Sequence, residues 1–321
     1  MGPVHDGDAA LDGLPGLPGL PRLAPTVAVH HHLLLLADDV EPEEVETLVT
    51  SLVVGARWTT TVSASMPGVL DLLPDADRHS RATLTGPWSI DAARDALGLP
   101  DWASTAFVVD VDPERSPAAP PHPGGYGPLL DAFGPHHPEG LERQVLDVAH
   151  ACARRLAGAL RVTSGAVVEP DPASAVDLAV HAPLWLDPDA LAHVLEGALP
   201  GIELLPGAEA VHAEGHHLDG YGATWHDGEA GDHVVVEVEA AEVLAPALRT
   251  AAWTAGGVIT YHLRWLDGDR TPSGRAGLRR RDRARASLEA AALALRDAVG
   301  GIVLDEDGFV VAPEQLRDPA G

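Results

Sequence analysis

A strand followed by an amphipathic helix occurs twice in this chain, and this repeat constrains the fold more than any other feature. In one copy the apolar run 175–181 is followed by Asp187-Pro188-Asp189, which predicts the start of a helix. The apolar residues of that helix recur at a spacing that places them on one face: Leu191, Val194, Leu195, Ala198 and Leu199. Near the N-terminus, a predicted strand Val27–Leu36 precedes a helix with the same spacing: Val45, Leu48, Val49, Leu52 and Val53.

The elements that follow each copy come in a similar order and extend the repeat to the whole chain. We therefore predict an α+β fold in which a unit of roughly 145 residues is duplicated in tandem. Each unit is expected to have an open, mainly antiparallel or mixed sheet with helices on one face, near the ferredoxin-like end of the class. The predicted domains are a disordered, acidic, Pro/Gly-rich arm at residues 1–24, a first unit at residues 25–170 and a second unit at residues 171–321.

Several local predictions are specific enough to be tested against a structure. The histidines His30, His31 and His32 are expected inside the first strand with hydrogen-bond partners, and His181 is expected to correspond to His32. Ser89 is a predicted N-cap of a short helix that ends near Leu97. Further predictions concern a helix over 242–252, an Arg-rich loop before a helix over 282–299, a hairpin turning at Asp307-Gly308, and core positions for Trp102, Trp253 and Cys152.

The residues that the chain lacks exclude several kinds of catalysis. All 21 basic side chains are arginine, and the sequence contains neither lysine nor asparagine. A Walker A lysine, a lysine Schiff base and a Cys-His-Asn triad are therefore excluded. The sequence also has no Gly-x-Ser-x-Gly elbow, no His-Glu-x-x-His helix, no Cys-x-x-Cys pair and no glycine-rich dinucleotide fingerprint. We therefore expect a non-enzymatic protein without a cofactor.

Charge and cysteine content limit the partners and the compartment. A formal net charge of −27 disfavours general binding to nucleic acids or anionic membranes. A single cysteine cannot form an internal disulfide, and no apolar run approaches the ~18 residues of a membrane span. We expect a cytoplasmic monomer or homodimer that has a protein partner.

A His-rich stretch is the strongest candidate for metal binding. The residues His212, His216, His217 and His226 could ligate Zn or another divalent metal, because neutral imidazole is a common ligand of such ions. Glu214 or Asp219 would then act as the acid or base. The competing interpretation is a solvated or partner-facing loop, because the stretch contains Gly215 and its spacing matches no known ligand set.

Two other groups of residues are candidates for binding. Arg279, Arg280, Arg281 and Arg283 form a basic cluster in an acidic chain, and guanidinium groups match carboxylates or phosphates. The cluster could pair with acids of the protein itself, with an acidic partner or with a phosphorylated ligand. Trp185 and Trp225 are candidates to line a pocket between the units.

These observations favour a regulatory or interaction protein that binds a protein or a small ligand. The alternative, from a different class, is a metal-dependent hydrolase that uses the His-rich loop 212–233.

Overall fold

The computed structural model of the chain describes residues 19–63, 66–73, 81–118, 120, 125–206, 220–228, 231–266, 272 and 274–316. The chain divides into two compact units. The first contains the residues up to Glu44, Ala56–Ala149 and Gly158–Val168, and the second contains Val45–Gly55, His150–Ala157 and the residues from Glu169 onwards. Each unit has helices and a sheet of seven described strands, all paired with antiparallel neighbours. The chain therefore has a mixed α+β fold, as predicted.

The sheet of the first unit has the strand order β2-β3-β4-β5-β1-β6-β7. Its strands are β1 (His32–Leu36), β2 (Arg57–Thr60), β3 (Gly68–Asp71), β4 (Ala82–Ser89), β5 (Thr105–Val111), β6 (Ala159–Arg161) and β7 (Val167–Val168). The helices in this part of the chain are α1 (Pro25–Ala28), α2 (Pro42–Leu52), α3 (Arg94–Leu97), α4 (Pro128–Asp131) and α5 (Gly140–Arg155).

One face of this first sheet is apolar and buried. Leu33 and Leu35 of β1 and Val108 of β5 belong to a core cluster that also contains Leu23 and Ile90. The Leu23 N–H donates to the carbonyl oxygen of Ser89 at 2.8 Å. Residues 19–24 are therefore anchored in the first unit rather than in the predicted disordered arm, whose residues 1–18 lie outside the described residues.

The sheet of the second unit has the strand order β14-β13-β8-β12-β11-β10-β9. Its strands are β8 (Leu178–Ala182), β9 (Glu203–Leu204), β10 (Tyr221–Asp227), β11 (Asp232–Ala240), β12 (Ile259–Trp265), β13 (Ile302–Asp305) and β14 (Val310–Val311). The helices are α6 (Pro188–Leu195) and α7 (Arg275–Val299), and short 3₁₀ helices occur at Pro172–Ser174, Pro246–Leu248 and Ala252–Gly256.

Helices α6 and α7 cover one face of the second sheet. The predicted start of α6 is confirmed, because the Asp187 carboxylate accepts a hydrogen bond from the Ala190 N–H at 2.8 Å. Leu191 and Leu195 are fully buried, and they share a core cluster with Leu288 of α7 and Tyr261 of β12. The first part of the predicted amphipathic stripe therefore packs on the sheet as expected. The helix ends at Leu195, so Ala198 and Leu199 lie beyond it, with Leu199 still buried.

The two sheets have the same topology. Read from its β9 edge, the second sheet has the order β9-β10-β11-β12-β8-β13-β14, which is the order of the first sheet with seven added to each strand number. A helix follows the first strand of each unit, α2 after β1 and α6 after β8. A long helix precedes the sixth strand of each unit, α5 before β6 and α7 before β13.

Several local predictions need correction. The predicted strand 27–36 begins only at His32, because Pro25 starts a helical turn and Ala28 is buried in that turn. Ser89 ends strand β4, and the helix begins at Arg94. The predicted helix over 242–252 is absent from these described residues, where a 3₁₀ helix begins at Pro246.

Two further corrections concern the arginine cluster and the tryptophans. Helix α7 begins at Arg275, so the cluster lies within the helix and not in a preceding loop; arginine is a good helix former. Trp102 is 39% exposed and is not a core residue, whereas Trp265, which was not singled out, is 2% exposed. The predicted hairpin is confirmed, because β13 and β14 pair across Gly308.

Candidate functional site

The alternation of side chains along β12 divides polar from apolar residues. Tyr261, Leu263 and Trp265 belong to the core cluster under the helices. Their neighbours along the strand point to the opposite face because side chains alternate in a strand. We call this opposite side of the second sheet the polar face; it carries His181, Thr224, His226, His233, Glu237, Glu239, Thr260, His262 and Arg264.

The corresponding face of the first sheet is apolar. Strands β1 and β5 pair Leu35 with Ala106, whereas β8 and β12 pair His181 with Thr260 at the equivalent place. His181 therefore corresponds to Leu35 and not to His32, contrary to the prediction. The two sheets share a strand order but differ in the chemistry of this face.

Two contacts on the polar face place a carboxylate next to a basic side chain. The Arg264 guanidinium lies 2.9 Å from the Glu237 carboxylate, and His262 Nε2 lies 3.1 Å from Glu239 Oε1. The Glu237 and Glu239 side chains are 46% and 60% exposed, so both carboxylates are accessible to solvent. Exposed ion pairs of this kind contribute little to stability, which leaves these groups able to exchange partners.

His181 is a half-buried histidine of this face. Its Nδ1 lies 3.1 Å from the Thr260 hydroxyl. Burial, together with the neighbouring His262, lowers the pKa of His181 to about 4. His181 is therefore neutral at physiological pH and is a hydrogen-bonding group rather than a charge.

A groove lies at the β9 edge of the polar face and has a volume of about 640 Å³. Its charged lining consists of Glu237, Glu239 and Arg264, and Leu205 contributes apolar surface. The floor includes Gly222, where a Cβ atom would lie only 2.9 Å from Leu205 Cδ1. A glycine at this position therefore lets the Leu205 side chain lie close to the sheet. The alternating pattern of β11 indicated that Glu237 and Glu239 share a face, but the cross-strand pairing with β12 could not be read from the sequence.

The predicted metal ligands are described only in part. His212, His216 and His217, with Glu214 and Asp219, lie outside the described residues. His226 is exposed on β10, and its ring stacks on that of His233 with the centroids 4.1 Å apart. His233 Nε2 is 2.7 Å from the Thr224 hydroxyl. Within the described ranges, no group of three or more His, Cys, Asp or Glu residues is arranged to hold a metal ion, and the metal site stays a prediction.

Most of the predicted arginine cluster contacts acids of the second unit. The Arg280 Nε donates to Asp232 at 2.5 Å, and Arg283 lies 3.8 Å from the same carboxylate. Arg281 is 5% exposed and donates to Asp171 at 2.5 Å. Arg279 is exposed. Pairing within the protein, one of the alternatives left open by the sequence, therefore accounts for Arg280, Arg281 and Arg283.

Trp185 and Trp225 both pack on the core of the second unit. Trp185 makes an edge contact with Tyr221 at a centroid distance of 5.3 Å, and Trp225 Nε1 donates to the Pro200 carbonyl at 3.0 Å. Tyr261 donates its hydroxyl to the Leu184 carbonyl at 2.8 Å and so holds the segment that carries Trp185. These contacts are structural, and a role in ligand binding stays a prediction for both tryptophans.

A buried charged network in the first unit was not foreseen. Glu142 of α5 is completely buried, and its Oε1 lies 3.1 Å from His32 Nε2. Burial alone would raise the pKa of Glu142, but hydrogen bonds from His32, the Glu114 N–H and Arg115 outweigh it and lower the pKa. His32 Nδ1 accepts from the Thr163 N–H at 3.2 Å, so the hydrogen of a neutral ring is on Nε2 and points at Glu142. Both ring nitrogens are thus engaged, and His32 has the hydrogen-bond partners predicted for it.

The environment of Cys152 argues against a reactive thiol. Cys152 is buried as predicted, and burial raises its pKa to about 12, so its reactive thiolate form is suppressed. Among the described residues, no helix combines the length and the apolar character that crossing a membrane requires.

The comparisons with known proteins gave no relative. No protein-family model matches the chain, and neither the curated proteins nor the solved structures contain a match.

Proposed function

We propose that this chain is a non-enzymatic protein-binding protein, built from two copies of one ferredoxin-like α+β unit, whose second unit binds a basic segment of a partner protein. The binding surface is the groove on the polar face. The observation that carries the proposal is the exposed pair of carboxylates, Glu237 and Glu239, beside the apolar Leu205 in a groove of about 640 Å³.

The equal strand order of the two sheets supports the duplication. In each half of the chain a strand and a helix precede a strand pair, and a second helix leads to a strand that pairs with the first. This is the β-α-β-β-α-β order of ferredoxin-like units, here with extra strands. After a duplication, one copy could acquire a new function while the other kept the original one. The apolar Leu35 of the first sheet and the polar His181 of the second occupy equivalent positions, and a difference of this kind would convert a buried face into a binding face.

The charge distribution favours a basic partner. The chain as a whole carries a net charge of −27, which attracts basic proteins from a distance. Within the groove, Arg264 balances one of the two carboxylates. A partner that carries an arginine or lysine next to an apolar side chain could pair with Glu239 and cover Leu205. Such a segment is complementary to both the charge and the apolar surface of the groove.

The test uses a short peptide of alternating arginine and leucine and its counterpart with glutamate in place of arginine. We expect the basic peptide to bind the full chain and to shift the amide NMR signals of residues 220–222 and 237–239, and the acidic peptide to leave them unchanged. Replacing Glu237 and Glu239 with Gln should weaken binding at least about tenfold, the loss of about 1.4 kcal/mol of interaction.

A matched control removes the same amount of charge elsewhere. Asp95 and Glu139 are exposed in the first unit, and the D95N/E139Q variant should bind the basic peptide as the wild type does. Equal weakening in both double variants would overturn the proposal, since net charge alone would then explain binding. Stoichiometric Zn²⁺ binding that is lost when His212, His216 and His217 are replaced with Ala would instead favour the metal-dependent hydrolase.

A further inference from the structure

Two basic side chains of β12 each contact one carboxylate of the neighbouring strand β11. The Arg264 guanidinium lies 2.9 Å from the Glu237 carboxylate. His262 Nε2 lies 3.1 Å from Glu239 Oε1. In the strand register Glu237 is opposite His262 and Glu239 is opposite Thr260, so both contacts run diagonally across the strand pair. The same arrangement therefore occurs twice, once with an arginine and once with a histidine.

The two basic groups respond differently to pH. An arginine side chain stays charged in proteins, whereas a histidine changes its charge between about pH 5 and about pH 8. Arg264 therefore compensates the charge of Glu237 permanently, and His262 compensates that of Glu239 only while its ring is protonated. Two carboxylates and one guanidinium give the four side chains a net charge of about −1 when His262 is neutral, and protonation brings that charge to about zero.

The other titratable groups near His262 are placed differently. His181 of β8 lies on the same face, but burial and the neighbouring His262 lower its pKa to about 4, so its ring stays neutral in this pH range. His233 of β11 contacts the Thr224 hydroxyl of β10 at 2.7 Å. Helices α6 and α7 pack on the other face of the sheet. Among the described residues, His262 is the histidine that contacts the Glu239 carboxylate.

Both members of this contact are accessible from solvent. The His262 and Glu239 side chains are 26% and 60% exposed, so protons reach the ring and a partner reaches the carboxylate. A protonated His262 forms an ion pair with Glu239 and competes with a basic side chain of the partner for the same oxygens. Because an exposed ion pair is weak, this competition changes the affinity by up to about fivefold.

We propose that protonation of His262 weakens the binding of a basic partner to the groove, so that the second unit binds its partner near neutral pH and releases it in mildly acidic solution. This inference rests on the proposed function, because it concerns the same groove and the same class of partner. By linkage, a basic side chain bound at Glu239 opposes protonation of His262 to the same extent.

The test titrates the arginine–leucine peptide, with both ends blocked, into the full chain at about pH 7.5 and about pH 5.5. The blocked ends and the arginines keep the charge of the peptide constant over this range. We expect the affinity of the wild type to fall about threefold more than that of His262→Gln, because glutamine can keep a hydrogen bond to Glu239 but cannot gain a charge. His193→Gln, at an exposed position of α6, is the control and should show the wild-type fall.

A second variant decides the matter if His262→Gln fails to fold. Glu239→Gln removes the carboxylate that His262 contacts, so it should bind the peptide more weakly near neutral pH and lose the same part of the pH dependence. Equal falls in affinity for the wild type, His262→Gln and Glu239→Gln would overturn the inference and leave the proposed function standing. No binding of the basic peptide at either pH would overturn both.

Discussion

His32 Nε2 lies 3.1 Å from Glu142 Oε1, and the two side chains are 3% and 0% exposed. The pair joins strand β1 to helix α5 in the first unit. Arg115 forms an ion pair with the other carboxylate oxygen of Glu142. The Arg115 guanidinium also lies over the ring of Phe133, 4.5 Å from the ring centroid. Because a buried charge is tolerated only when it is paired and hydrogen-bonded, this network specifies how α5 packs on the sheet.

Removing the charge of Glu142 should destabilise the protein strongly. Glu142→Gln keeps the shape of the side chain but leaves the Arg115 guanidinium without its carboxylate, and we expect a loss of about 3 kcal/mol in the free energy of unfolding. Urea denaturation measures this loss. Asp147→Asn on the same helix is the control, because Asp147 pairs with Arg143 at the surface and its loss should cost about 0.5 kcal/mol or less. Similar losses in the two variants would contradict a special role for the buried pair.

The contribution of Glu142 should also depend on pH. Its pKa is lower in the folded protein than in the unfolded chain, where a glutamate titrates near about 4.3. The stabilisation is therefore fully present above that value and is lost as the pH falls through the lowered folded pKa. We expect the stability difference between wild type and Glu142→Gln to be constant from neutral pH down to about pH 5 and to shrink below it. A difference that stays constant down to pH 3 would contradict the lowered pKa.

The arginine cluster should divide into structural and surface members. Arg281 is buried and donates to Asp171, and the same arginine is a cause of the lowered pKa of Asp171, although burial acts in the opposite direction. Arg281→Ala should lower the free energy of unfolding by about 2–3 kcal/mol, because it removes a buried side chain of helix α7 together with its ion pair to Asp171. Arg279→Ala, at an exposed position of the same helix, should change it by less than about 0.5 kcal/mol. If the two variants have equal stability, the ion pair with Asp171 is not structural.

Features that depend on residues close together in the sequence could be predicted, whereas features that depend on contacts between distant segments could not. The Asp187 cap and the buried positions Leu191 and Leu195 follow local patterns and were predicted correctly. The predicted helix was too long, because α6 ends at Leu195 and the last two residues of the stripe, Ala198 and Leu199, lie beyond it. The α+β class follows from the same periodicities. The prediction that the first strand begins at Val27 was wrong. Pro25 favours a helical turn at this point, but the apolar residues that follow it resemble those of a strand.

Features that depend on distant pairing were not predictable in the same way. Glu142 is flanked by Leu141 and Arg143 at the start of α5, and nothing near it in sequence shows that His32 and Arg115 will contact it. The Arg155–Asp305 ion pair likewise joins residues from distant segments of the chain. Such sites are formed by tertiary packing, so their residues can be recognised in the sequence only one at a time.

His181 provides a test of the half-buried part of the polar face. Its folded pKa of about 4 lies below the value of about 6.5 expected in the unfolded chain, so on acidification the unfolded state takes up a proton that the folded state does not. Stability should therefore be unaffected above about pH 7 and should fall by up to about 3 kcal/mol between pH 6.5 and pH 4 on account of this residue. His181→Gln can keep a hydrogen bond to Thr260 without titrating, and it should lose that part of the pH dependence. His193→Gln, at an exposed position of α6, should retain it. Thermal melts of the three proteins from pH 7 to pH 4 measure this dependence. If the stability of wild type and of His181→Gln changes with pH in the same way, His181 takes up a proton in the folded protein as readily as in the unfolded chain.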